Sequence, residues 1–132
     1  MAKKKLFISF DYDNDKKYRN LLIAWDKNDH FDFEFYDESV SVAVDSEDAN
    51  YIRSVIKKKI EAADALLCIV GEETHKSRWC AWEIQTAKNL KKGLIGVKTD
   101  SNNTSPAELL ESGAAWAMSF SFEAIKKAVE SL

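Results

Sequence analysis

The stretch Ala65-Leu66-Leu67-Cys68-Ile69-Val70-Gly71 decides the fold. Its apolar residues run without a break and stop at a glycine. A strand with one wet face would alternate, so this one reads as covered on both faces, which is the habit of strands inside parallel sheets. Its flanks are helical. Upstream, Ala49, Ile52, Val55, Ile56 and Ile60 recur at spacings of three and four. Glu47 and Asp48 stand at the start of that segment and Lys57, Lys58 and Lys59 at its end, the charge order a helix dipole favours. Downstream, Ser77 is placed to cap a helix from Arg78 to Lys92, and Gly93 to stop it.

Working outward, Leu6 to Phe10 is a short first strand. Tyr18, Leu21, Leu22 and Trp25 mark a helix from Asp13, its expected cap, to about Lys27. Phe31, Phe33 and Phe35 alternate with Asp32, Glu34 and Tyr36, as on an edge strand with one wetter face. A loop, Asp37 to Ser46, follows. Leu94 to Val97 is a fourth strand, and Ala114 to Met118 a fifth. The polar stretch Thr99 to Ser105, with Pro106 behind it, is a surface insertion, and Phe122, Ile125, Val129 and Leu132 line a last helix. Strands alternating with helices imply an α/β three-layer sandwich around a parallel sheet. Right-handed crossovers favour the flavodoxin-like strand order 2-1-3-4-5 over residues 1–132 as a single domain. Ligands on such sheets bind beyond the carboxyl ends of the strands, among the loops after strands 1, 2 and 3.

Composition removes several classes of function. The formal net charge of −3 over 132 residues lacks the basic signature of nucleic-acid binders. No apolar run approaches the roughly 20 residues of a membrane span, and the apolar stretch behind Lys3 to Lys5 is too short for a secretory signal. Cys68 and Cys80 lack metal spacing and sit in apolar patterns, as buried reduced thiols of a cytoplasmic protein would. No metal or bound cofactor is expected.

One residue breaks the pattern of the third helix. At about 100° per residue, Trp79, Cys80, Ile84, Ala87 and Leu90 share one arc, and Glu83 falls inside it. Gln85, Thr86, Lys88, Asn89 and Lys92 fall outside and are expected in solvent. A carboxylate on an apolar stripe is costly unless it is paired, hydrogen-bonded or open to a cleft. Two explanations are open: a structural carboxylate that snorkels out to solvent or pairs with Arg53, Lys76 or Arg78, or a carboxylate presented at the mouth of the crevice.

The segment Ser77-Arg78-Trp79-Cys80-Ala81-Trp82-Glu83-Ile84 resembles the S-x-W-C-x-x-E-[LI] motif of TIR (Toll/interleukin-1 receptor) domains. Leu6-Phe7-Ile8-Ser9-Phe10-Asp11 is similar to their first box, and Phe35-Tyr36-Asp37 to the acidic end of their second strand. The nearest likeness is to the bacterial TIR-like domains of anti-phage defence systems such as Thoeris. The resemblance implies an NAD+ glycohydrolase or cyclase, with NAD+ as substrate and Glu83 as the catalytic carboxylate. It also implies a phage-derived trigger and an effector reached through a nucleotide signal. Ser9 and Asp11 are candidates to bond ribose or amide groups, Phe10 and Tyr12 to stack on a flat ring, Asp37 to bond ligand, and Trp79 to wall the cleft. The loop after Asp37 lacks the Arg-Gly or Pro-Gly pair of many TIR domains, which leaves the assembly contacts of that loop in doubt.

The acidic residues Asp11, Asp13, Asp15, Asp37, Glu38, Asp45, Glu47, Asp48, Glu72 and Glu73 map to the carboxyl edge, and lysine clusters map to the opposite one. Dipole matching explains this; head-to-tail homo-oligomers would exploit it. Lys16, Arg19, Lys76 or Arg78, or else a partner subunit, would have to offset the acidic rim for a dinucleotide to bind. The alternative function is a non-catalytic interaction module. A phosphoacceptor receiver is excluded, since the third strand ends without an Asp. FMN is unsuited to the acidic loop Asp11-Tyr12-Asp13-Asn14-Asp15.

Overall fold

The computed structural model describes residues 4–25, 31–34, 47–110 and 112–132. In chain order the elements are β1 (Lys4–Ser9), α1 (Tyr12–Ala24), β2 (Phe31–Glu34), α2 (Asn50–Ala62), β3 (Ala65–Val70), α3 (Arg78–Asn89), β4 (Gly93–Lys98), β5 (Ala115–Ala117) and α4 (Phe122–Glu130). The strands form one sheet in the order β2-β1-β3-β4-β5, and each neighbouring pair is parallel. Phe35, Tyr36 and the loop from Asp37 to Ser46 lie outside the described residues.

Two cores sandwich this sheet. Leu6, Ile8, Leu67, Ile69, Ile95 and Val97 point to one face, where Leu22 of α1 and Ile125, Ala128 and Val129 of α4 cover them. Phe7, Leu66, Cys68, Val70 and Leu94 point to the other, under Ile56 and Ile60 of α2 and Ile84 and Ala87 of α3. Every residue of β3 is buried, which is the physical reason its sequence is apolar without alternation. Chain direction changes sides between β1 and β3, so the crevice of this sheet opens where those two strands end.

Several boundaries differ from the sequence expectation. β1 ends at Ser9, one residue before Phe10. The first helix begins before Asp13. Asp11 precedes it, its carbonyl accepting from the Asp15 amide at 2.8 Å and its carboxylate from the Asn14 side chain at 2.7 Å. Ser77 does cap α3, accepting from the Cys80 amide at 3.2 Å. The helix ends earlier than Gly93, however. Lys91 takes a left-handed conformation at φ 58°. Around it the Lys92 amide donates to Ala87 O at 2.9 Å and the Lys91 amide to Lys88 O at 3.0 Å, a Schellman closure. Gly93 is thereby freed to start β4. Thr86 is buried instead of solvated, because its hydroxyl donates to Trp82 O at 2.8 Å within the helix.

A left-handed lysine bears a cost that glycine avoids. Lys91→Gly is therefore expected to stabilise the domain by about 0.5–1 kcal/mol. Urea denaturation checks it: an unchanged or lowered midpoint would refute this account of how α3 ends.

Candidate active site at the end of the first strand

Glu83 sits in the second turn of α3 and is 7% exposed. Its Oε1 accepts a hydrogen bond of 2.8 Å from the hydroxyl of Ser9, the last residue of β1, which is itself fully buried. Ser9 stands opposite Cys68 in the β1–β3 register, so the pair lies where the strand order reverses. Local structure dictates this meeting. Ser77 starts α3 just beyond β3, the helix runs back across the sheet face that carries Phe7 and Cys68, and its polar position falls over the polar end of β1. Among the described residues Glu83 has no ion pair. Neither Lys76 nor Arg78 neutralises it: Lys76 Nζ lies 2.9 Å from the carboxylate of Glu73 instead, and Arg78 is exposed.

Burial pushes the Glu83 carboxyl up to about 8, and the Ser9 hydrogen bond only partly opposes it. The two thiols nearby are pushed up as well. Burial and then Cys80 raise Cys68; burial and then Glu83 raise Cys80 to about 12. Both remain free, buried thiols, unreactive in this state. The Ser9 hydroxyl, the two thiols and the Glu83 carboxyl are thus all buried, and burial favours the uncharged form of each titratable one.

The other sequence candidates are spread more widely. Phe10 points to the α1/α4 face, opposite to Glu83, where it packs on that core with the Arg19 guanidinium 5.7 Å from its ring centre. Arg19 is buried there, so it is not part of the rim that would meet phosphate. Asp11 serves the start of α1. Tyr12 begins that helix, and its side chain, like all of Asp37, lies outside the described residues. Trp79, one turn before Glu83, is half-buried against the α2/α3 core and meets Trp82 edge to face at 5.9 Å. Ser9, Glu83 and Trp79 thus belong to one face, and Phe10 to the other. Among the described residues no group of three or more His, Cys, Asp and Glu converges to hold a metal ion. No described helix is long and apolar enough to cross a membrane.

A second buried carboxylate is hidden in the sequence. Asp15, expected in the solvated acidic rim, is only 4% exposed. Its Oδ2 lies 3.1 Å from the hydroxyl of Thr74, which also accepts from the Gly71 amide at 2.9 Å and contacts Ile69 O at 3.1 Å. Burial raises Asp15 to about 6, against the pull of Thr74. Gly71 makes room for it, since a Cβ there would stand 2.3 Å from the carboxylate oxygens. This latch ties α1 to the turn after β3 beside a cleft of about 330 Å³ walled by Asn14, Tyr18, Glu72, Asp100 and Asn103. The only sequence signal for it is a glycine and a threonine three residues apart at a strand end.

Residues 7–104 match the family described as Thoeris protein ThsB, TIR-like domain. The chain belongs to that family. No curated protein matches this TIR-like domain in sequence. Among solved structures it is similar to a conserved protein from Enterococcus faecalis V583, at 14% identity and a TM-score of 0.71 over 98% of this chain and 99% of that one. It is also similar to a 2-deoxyribosyltransferase from Bacillus psychrosaccharolyticus, at 14% identity and a TM-score of 0.62 over 88% and 87% of the two chains. A 3-dehydroquinate dehydratase-like protein from Bifidobacterium longum follows at 16% identity and 0.51, over 99% and 94%. At these identities the likeness is one of fold.

The buried carboxyls of the ThsB-type domain make a prediction about stability. A native acid that holds its proton above its ordinary value binds more protons than the unfolded chain. Its contribution is complete below the ordinary value of 4.5 and is lost as pH rises through about 8 for Glu83. Glu83→Gln keeps an acceptor for Ser9 and carries no charge. It is expected to raise the melting temperature by roughly 5 °C at about pH 9 and by much less at about pH 5. Melting curves with the same difference at both pH values would mean that Glu83 is not held neutral by burial.

Proposed function

We propose that this TIR-like domain is an NAD+ glycohydrolase or cyclase, with Glu83 as the carboxylate that stabilises the reacting ribose. One observation carries the reading: a buried carboxyl group at the β1–β3 switch point, held by a serine hydroxyl and, among the described residues, by no cation. A structural ion pair would have silenced it; here the carboxyl group is left for a ligand to engage.

The chemistry follows from that placement. The bond between C1′ of the ribose and N1 of nicotinamide breaks, and its electron pair leaves with the neutral nicotinamide. C1′ and the ring oxygen share the positive charge left behind. A carboxylate beside them stabilises this oxocarbenium character most strongly where water is excluded. Nicotinamide needs no proton to depart, so a single carboxylate suffices. Water attacking C1′ would yield ADP-ribose and a proton. A hydroxyl of the adenosine ribose attacking instead would yield a cyclic nucleotide and a proton, suited to act as a signal in anti-phage defence. That a 2-deoxyribosyltransferase shares the fold is compatible with a glycosyl substrate. Trp79 is placed to wall the same face, and Ser9 to orient the carboxylate.

The test is release of nicotinamide from NAD+, followed chromatographically, with purified protein and in lysates of cells carrying the protein before and after phage infection. Wild type is expected to release it in at least the infected lysate, and Glu83→Gln to lose at least about 100-fold in rate while retaining its circular dichroism spectrum. If Glu83→Gln were as active as wild type, or if wild type released nothing under any of these conditions, the domain would be an interaction module instead.

A further inference from the structure

The site offers a ligand something unusual: a carboxyl group that meets no counter-charge among the described residues. On β1 the group bonded to Glu83 is the Ser9 hydroxyl; on β3 the residue paired with Ser9 is Cys68, and on α3 itself Cys80 lies one turn before Glu83, both as thiols. All three are neutral. Asp11, at the start of α1, acts on Cys80 but adds only negative charge to this corner. From α2, which packs against α3, no basic side chain offsets the burial of Glu83. A buried acid in such surroundings rests with its proton on at neutral pH, and a positive charge brought against it would remove that proton without a change of pH.

Resting on the NAD+ reading above, we propose that this site selects a nicotinamide ring in its oxidised, cationic form over the neutral dihydro ring, and that taking the cation expels the Glu83 proton to solvent. Before binding, the site holds a neutral acid. After binding, it holds a carboxylate beside a pyridinium, the ion pair that the later transition state needs, with one proton passed to the buffer. Selection and activation are then one event. A neutral ring leaves Glu83 protonated and the site inactive; a cationic ring both binds better and arms the carboxylate. Ser9 is a positioning residue in this scheme. Its hydroxyl donates to the Oε1 that must bear the charge, so it sets how readily the proton leaves.

Carbocyclic NAD+ and its reduced form separate ring charge from turnover, because neither can form an oxocarbenium ion. Calorimetric titration of each into wild type, in two buffers of different ionisation enthalpy, reads proton release directly. At neutral pH the oxidised analogue is expected to release close to one proton, and its affinity to rise about tenfold per pH unit up to the Glu83 titration. The reduced analogue should bind more weakly, with no proton and no pH dependence. Glu83→Gln should bind the two alike. Ser9→Ala should push the rise in affinity to higher pH, which a merely structural role for the hydroxyl would not do. If both analogues bind wild type equally and without proton release, the selection mechanism is wrong while the NAD+ reading stands. If neither binds, both fall together. A carbon-13 titration of the ligand-free protein is an independent check, since a Glu83 carboxyl titrating at its ordinary value of about 4.5 would overturn the mechanism whatever binds.

Discussion

The hydrogen bond between Ser9 and Glu83 is the constraint around which this domain is organised. It joins the last residue of β1 to the second turn of α3 across one face of the sheet, and it is the only polar contact of Glu83 among the described residues. Around it stand neutral groups: two thiols whose protons burial holds in place, with Trp79 packed on the same α2/α3 core. Burial normally selects against an unpaired acid. Keeping one here costs stability at high pH, the trade often found at functional sites.

The rest of the fold serves to hold those two residues in register. β3, buried on both faces, sets β1 on one side and β4 on the other, so the ends of β1 and β3 stand side by side at one edge of the sheet. α2 and α3 clamp the face that carries Ser9, and α1 and α4 clamp the opposite one. The Asp15–Thr74–Gly71 latch braces the turn between β3 and α3 from the α1 side. That turn leads into the helix carrying Glu83, so the latch supports the site without touching its chemistry. Membership of the ThsB TIR-like family accords with this plan, in which the matched segment contains β3, α3, the second half of β1 and both residues of the pair.

The parts legible from residues were those governed by periodicity and by local caps. An unbroken apolar run announced β3, a period of 3.6 announced α3, and Ser77 announced where α3 starts, because these depend on neighbours within a few residues. The wrong details have a common origin. Thr86 looked solvated on a helical wheel, but a threonine can bury itself by bonding back to its own helix. Gly93 looked like the helix stop, but Lys91 adopted the left-handed turn. Asp15 looked like one more rim carboxylate, and became a buried latch because Gly71 leaves a space no other residue would leave.

Sequence alone determined that Glu83 would lie on the apolar stripe of its helix, since that follows from spacing along one element. What it could not determine was whether the carboxylate would be neutralised. Arg53, Lys76 and Arg78 were all within plausible reach, and only packing in three dimensions selected among them. The tertiary structure gave Glu83 a serine from a strand 74 residues away and left the nearby cations to other partners or to solvent. Long-range contacts of this kind depend on which strand end meets which helix turn, a matter of sheet order and register that no local pattern encodes.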